Sequence, residues 1–152
     1  MKKFGILFVF LSILSLFFST ESFAQRGKRA GSGNGWGIGS SYNRMYNPKT
    51  VVTINGEVVS IDKITPMKGM SYGIHLMMKT GKETISIHVG PAWYLARQNF
   101  VIKAKDKIKV IGSRIIFDEK PAIIAAEIHN GNKVIKLRDE NGYPVWSVGR
   151  RR

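Results

Sequence analysis

Apolar residues recur at every second position over 74–89, in two runs separated by a glycine. The first run is Ile74, Leu76 and Met78, and the second is Ile85, Ile87 and Val89. A period of two marks strands with one buried face. Gly81-Lys82 between them reads as a two-residue loop, with glycine at the first central position of a type II′ turn. That loop sets His75 opposite His88 and Met77 opposite Ser86. All six apolar residues then share a face, and a slip of one residue would expose them, so the register is well specified.

The pattern continues on both sides. Residues 50–62 form a β-branched run in which Val52, Ile54 and Val58 share one parity, and Val59 and Ile61 the other. Such a strand bends, and Gly56 is the expected bend. Residues 91–99 predict a short helix with Pro91 in its first turn. Trp93, Leu95, Ala96 and Phe100 are expected to cap the barrel bottom. A fourth strand follows at 107–117, with Ile108 and Val110 inward and Gly112 as a bend. The fifth, at 121–129, is expected to place Ala122, Ile124, Ala126 and Ile128 on one face, after a turn at Asp118-Glu119-Lys120. A sixth strand can follow the Asn130-Gly131 turn at 133–137. Five short strands with a helix between the third and fourth predict an all-β, five-stranded OB-fold-like barrel. The rival is another small antiparallel barrel or sandwich.

The ends read differently. Met1-Lys2-Lys3, an apolar run from Phe4 to Phe18 and Ser22-Phe23-Ala24 predict a secretory signal peptide over 1–24. The apolar run is short for a membrane span, which takes about 20 residues; an uncleaved anchor is the rival reading. The chain is then exported, periplasmic or extracellular, with no transmembrane anchor left after cleavage. Residues 25–47, rich in Gly, Ser and Asn, predict a flexible basic linker carrying Trp36, Tyr42 and Tyr46. The barrel is expected over 48–138. A basic tail over 139–152 packs on it or trails from it.

Charge narrows the partners. The chain has 24 Lys+Arg and 10 Asp+Glu. Loss of Lys2, Lys3 and Glu21 with the leader leaves 22 against 9, a net +13. That balance favours an anionic polymer, an envelope protein or a membrane surface, with nucleic acid a third option. There is no cysteine, which excludes disulfides, thiolate metal sites and cysteine nucleophiles.

Several segments carry a family resemblance. They are Tyr46-Asn47-Pro48-Lys49-Thr50-Val51, Gly56-Glu57-Val58, Tyr72-Gly73-Ile74-His75-Leu76, His88-Val89-Gly90-Pro91-Ala92-Trp93 and Gly112-Ser113-Arg114. The last is Leu137-Arg138-Asp139 through Pro144-Val145-Trp146. The His-x-Gly-Pro-x-Trp and Arg-Asp-x-x-Gly-x-Pro-x-Trp segments are the most specific. With these the chain resembles a family of small exported bacterial OB-fold proteins, often catalogued as DNA-binding. The resemblance implies fold and export, and little about activity.

Candidate chemistry gathers on the hairpin. Directly opposed residues have Cβ atoms about 4.5–5.5 Å apart, so His75 and His88 share the face opposite the apolar one. OB-folds bind ligands over these strands, which makes Tyr72, His75, Met77, Ser86 and His88 the expected ligand-binding residues. His75 and His88 are also metal candidates, with copper or zinc as the cofactor of that alternative; Met77, Met67 and Met70 are possible thioether helpers. No Cys, Asp or Glu nearby completes a tetrahedral set. Arg114, Arg138, Arg150, Arg151 and Arg152 are expected to bind anions. No nucleophile–base arrangement is evident. The expectation is a non-enzymatic binding or adaptor protein for an anionic partner (nucleic acid, envelope polymer or protein), without cofactor. The alternative is a periplasmic metal-handling or redox accessory protein using His75 and His88.

Overall fold

The structure is a computed structural model that describes residues 35–150, the side chains of 148–150 excepted. The signal peptide reading, the first part of the linker, Arg151 and Arg152 lie outside the described residues, as does the side chain of Arg150. Strands β1 (Val51–Ile64), β2 (Gly73–Lys79) and β3 (Thr84–Pro91) precede helix α1 (Ala92–Leu95). Strands β4 (Lys107–Phe117), β5 (Lys120–Asn130) and β6 (Lys133–Lys136) follow. The sheet order is β3-β2-β1-β4-β5-β6, and β3 pairs with β5 in parallel, at Ser86–Ala122 through His88–Ile124. The result is a closed five-stranded mixed barrel with β6 outside the ring and one short helix between the third and fourth strands, as the pattern predicted. Among the described residues no helix is long and apolar enough to cross a membrane.

Leu76, Met78, Ile85, Ile87, Val110, Ile123 and Ile128 fill the barrel, each at most 1% exposed. Side chains of this size stabilise by about 1.5–3 kcal/mol each when fully buried. The hairpin register is as expected: His75 pairs with His88, Leu76 with Ile87, Met77 with Ser86 and Met78 with Ile85. The turn chemistry is not. Gly81 does not adopt a positive φ, so the loop is not type II′. The Thr80 hydroxyl accepts from the amides of Lys82 and Glu83 instead, at 3.2 and 3.1 Å. A side-chain oxygen thus does the work assigned to glycine.

Three local expectations also shift. The parity change in β1 occurs at a bulge between Val58 and Ser60, not at Gly56. A Cβ on Gly56 would stand 2.5 Å from the Lys79 carbonyl oxygen, so that glycine serves a close strand approach. In β5, Ile123, Ala125 and Ile128 face the barrel, while Ile124 and Ala126 join a second core. The irregularity opposite Ile111/Gly112 reverses the parity of that strand. The helix is four residues long rather than nine. It has no side-chain cap, and after Ala96 it tightens into three-residue turns through Arg97 and Gln98.

The second core corrects the linker expectation for residues 35–47. Trp36 and Tyr42 are each 1% exposed and Tyr46 is 9% exposed. They pack with Ile124 and Ala126 on the outside of the barrel, beside Trp146. Aromatic area overrides the glycine-rich composition here, because each buried ring removes about 150–250 Å² from water.

Candidate functional site

The outer face of the β2–β3 hairpin is where the sequence placed the ligand site, and this chain's own arm lies across it. His75 and His88 stack with ring centroids 3.8 Å apart and planes 15° apart. Tyr42 stacks next on His88, at 5.9 Å and 10°, and Phe117 meets His88 edge-on at 4.8 Å. The Tyr42 hydroxyl and His88 Nδ1 are hydrogen-bonded at 2.9 Å. His75 and His88 are 3% and 1% exposed. His75 Nε2 has no hydrogen-bond partner among the described residues.

Burial sets the electrostatics. Desolvation lowers His75 to about 4, against a small opposing pull from Asp62. Desolvation, then the neighbouring His75 and Arg138, lowers His88 to about 3. Both imidazoles are therefore neutral at neutral pH. Burial also raises the Tyr42 phenol beyond its usual range. Parallel rings this close carry their in-plane lone pairs side by side rather than converging on one point. Among the described residues no group of three or more His, Cys, Asp or Glu is gathered for a metal ion.

Two tryptophans hold the arm down. Trp36 Nε1 donates to the Ser71 carbonyl oxygen at 3.0 Å, and Trp146 Nε1 donates to the Trp36 carbonyl oxygen at 2.9 Å. Glycines make their slots. A Cβ on Gly73 would lie 2.5 Å from the Trp36 ring, one on Gly90 would lie 3.1 Å from the Trp146 ring, and one on Gly142 would lie 2.2 Å from the Tyr46 ring. Arg138 lies beneath, 3% exposed. It donates to Asn43 Oδ1 and, at 2.9 Å, to the Gly142 carbonyl oxygen. Its guanidinium carbon is 5.4 Å from both the Tyr46 and Trp146 ring centres.

The predicted site residues therefore separate. His75 and His88 are brought together as expected, but they are covered. Met77 and Ser86 are half-buried beside them, and Tyr72 is 51% exposed under Lys63. Arg138, expected at an anion-binding surface, is a buried anchor instead. Arg114 is engaged by both Glu83 carboxylate oxygens, at 2.7 and 3.0 Å, so its charge is already answered. The residues missed were Trp36, Tyr42, Asn43 and Trp146. The available signal was three aromatics within an otherwise low-complexity run.

The two specific segments now have physical roles. In His88-Val89-Gly90-Pro91, the imidazole supports Tyr42, Gly90 admits the Trp146 ring and Pro91 starts α1. From Arg138 to Trp146, the chain supplies the anchor, the Gly142 turn (φ 82°) and the clasping ring. They define a small OB-fold barrel whose usual ligand side is closed by its own N-terminal arm and C-terminal segment.

The family model of the MamS/MamX magnetosome protein family matches residues 50–135, and the chain belongs to that family. It is a bacterial family, as the resemblance implied, and its description names no nucleic-acid role. The matched stretch covers β1 to β5 and all but the last residue of β6, and ends before the clasp. No curated protein matches the chain.

Proposed function

We infer that this is a non-enzymatic, exported accessory protein of the magnetosome, which uses its barrel to hold an anionic partner. The family description supplies the setting. The observation that carries the partner's charge is the unbalanced surface. Among the described residues the ion pairs are Arg114–Glu83 and His129–Glu127. Lys49, Lys63, Lys68, Lys79, Lys82, Lys103, Lys107 and Lys133 are exposed and belong to neither pair. Unanswered cations at this density draw polyanions or anionic surfaces.

An envelope polymer, protein or membrane surface fits better than nucleic acid. OB-folds stack bases on aromatics over β2 and β3, and here that face is filled by Trp36 and Tyr42. The metal-handling alternative requires the arm to leave His75 and His88; stoichiometric copper or zinc in protein purified from its native envelope, lost in a His75→Ala/His88→Ala variant, would support it.

The test is retention on an immobilised polyanion and on envelope fractions across a salt series. Retention at low salt that falls steeply by moderate salt is expected, since released counterions drive such binding. Failure of both matrices to hold the protein at low salt refutes the reading.

A further inference from the structure

The helix that closes one end of the barrel is only four residues long, and it leaves that end open. A cavity of about 260 Å³ remains, lined by Ile61, Ile74, Leu76, Val89, Leu95 and Phe100, with Val101 and Ile102 completing it. Apolar side chains also stand outside on the neighbouring segments. Val101 is 62% exposed and Ile61 41%. A lone exposed isoleucine needs no explanation, but a cluster around an apolar opening does.

Cations surround this opening. Lys63 has the same strand parity as Ile61 and pairs with Ile74. Arg97 lies two residues past Leu95, and Lys103 directly follows Ile102. All three are exposed, and none belongs to an ion pair among the described residues. For Lys63 and Arg97 the nearest identified companions are aromatic rings. Lys63 Nζ is 5.2 Å over Tyr72, and the Arg97 guanidinium is 5.9 Å over Trp93. The nearby carboxylates make hydrogen bonds of their own. Asp62 pairs with His75 on the outer face and accepts from the Ser60 hydroxyl. Asp106 accepts from the Lys103 amide and from Asn130, and it also feels the Lys103 charge.

An apolar opening, a fringe of Tyr and Trp and an outer set of cations is the arrangement that holds a protein at a lipid–water interface. We propose that this end of the barrel docks on an anionic bilayer, with Ile61 and Val101 entering the acyl boundary and Lys63, Arg97 and Lys103 meeting lipid phosphates. The proposal rests on the anionic-partner reading and names its partner. The aromatic rings under Lys63 and Arg97 favour that partner over a peptide, since Tyr and Trp gather at the headgroup level. The cations are complementary to acidic headgroups, each lysine near such a surface contributing about fivefold in partition.

The test uses the full chain with vesicles of phosphatidylglycerol and phosphatidylcholine, vesicles of phosphatidylcholine alone, and heparin as a soluble polyanion. The apolar stretch over 4–18 can itself enter lipid, so the readout must be local. Quenching of Trp93 fluorescence by brominated acyl chains supplies it, because Trp36 is buried and Trp93→Phe assigns the signal. Quenching is expected with the anionic vesicles and is lost in Trp93→Phe and in Val101→Asp. Lys63→Gln/Lys103→Gln should raise the lipid concentration for half-quenching about thirtyfold, with little change on heparin. Retention on heparin without acyl quenching, or a double variant that quenches like the parent, overturns this proposal and leaves the anionic-partner reading standing. Failure on heparin and on both vesicles removes both.

Discussion

Lowering the pH from 7.5 to 5 should destabilise this protein by about 4 kcal/mol through His75 and His88. Burial holds these imidazoles at about 4 and about 3, against an ordinary value of 6.5. Both folded values are depressed, so the unfolded chain binds protons first as the pH falls. Stability is complete above 6.5 and drains away below it, until the folded groups themselves titrate near 4 and 3. At pH 5 each unfolded imidazole carries nearly one proton and each folded one almost none, which amounts to about 2 kcal/mol per histidine. The carboxylates do not confuse this window. Glu83 and Asp106 are lowered from 4.5 and 3.8, so their contributions are lost only at more acid pH.

The informative variant is His75→Phe. It keeps a ring stacked on His88 and removes an Nε2 that has no partner among the described residues, an orphan that costs about 1–3 kcal/mol. At pH 7.5 the variant should be at least as stable as the parent, within about 1 kcal/mol. Between pH 7.5 and 5 it should lose about 2 kcal/mol rather than 4. Urea denaturation followed by tryptophan fluorescence at each pH measures both, since Trp36 reports arm release. A parent protein equally stable at both values, or a variant that loses as much as the parent, would refute the reasoning.

The clasp makes further predictions. Gly73→Ala should cost about 1–3 kcal/mol by overpacking, and more than Gly90→Ala, because its Cβ would lie 2.5 Å from a ring rather than 3.1 Å; urea midpoints of the two variants give the order. Arg138→Lys should cost well over 1 kcal/mol, since a strongly hydrated ammonium lacks the planar guanidinium that faces both rings while its Nη1 donates to Asn43 and Gly142, and should speed proteolysis of the arm. Arg114→Ala, at a half-exposed pair, should change the urea midpoint far less than Arg138→Lys. Glu119→Gly should stabilise by about 1 kcal/mol in the same denaturation assay, because Glu119 holds φ 63° in the β4–β5 turn.

Local alternation was enough to write down the barrel. The hairpin register followed from six apolar residues and a short loop, since period-two patterning admits one register when one face is buried. The same argument placed His75 against His88, a pairing set by neighbours along two adjacent strands. The local patterning did not show what covers that pair. Trp36 and Trp146 lie 110 residues apart and meet only when β2 and β3 present Gly73 and Gly90 as slots. Arg138 looked like a surface cation because its type is usually exposed, and only the fold surrounds it with Asn43, Tyr46 and Trp146. The parity of β5 failed for a related reason: a strand buried on both faces has no alternation to read. Sequence patterning determined which residues could form strands and how neighbouring strands align. The tertiary structure decided which of the two barrel faces stayed open, because long-range aromatic burial and a buried guanidinium turned a low-complexity segment into a second core.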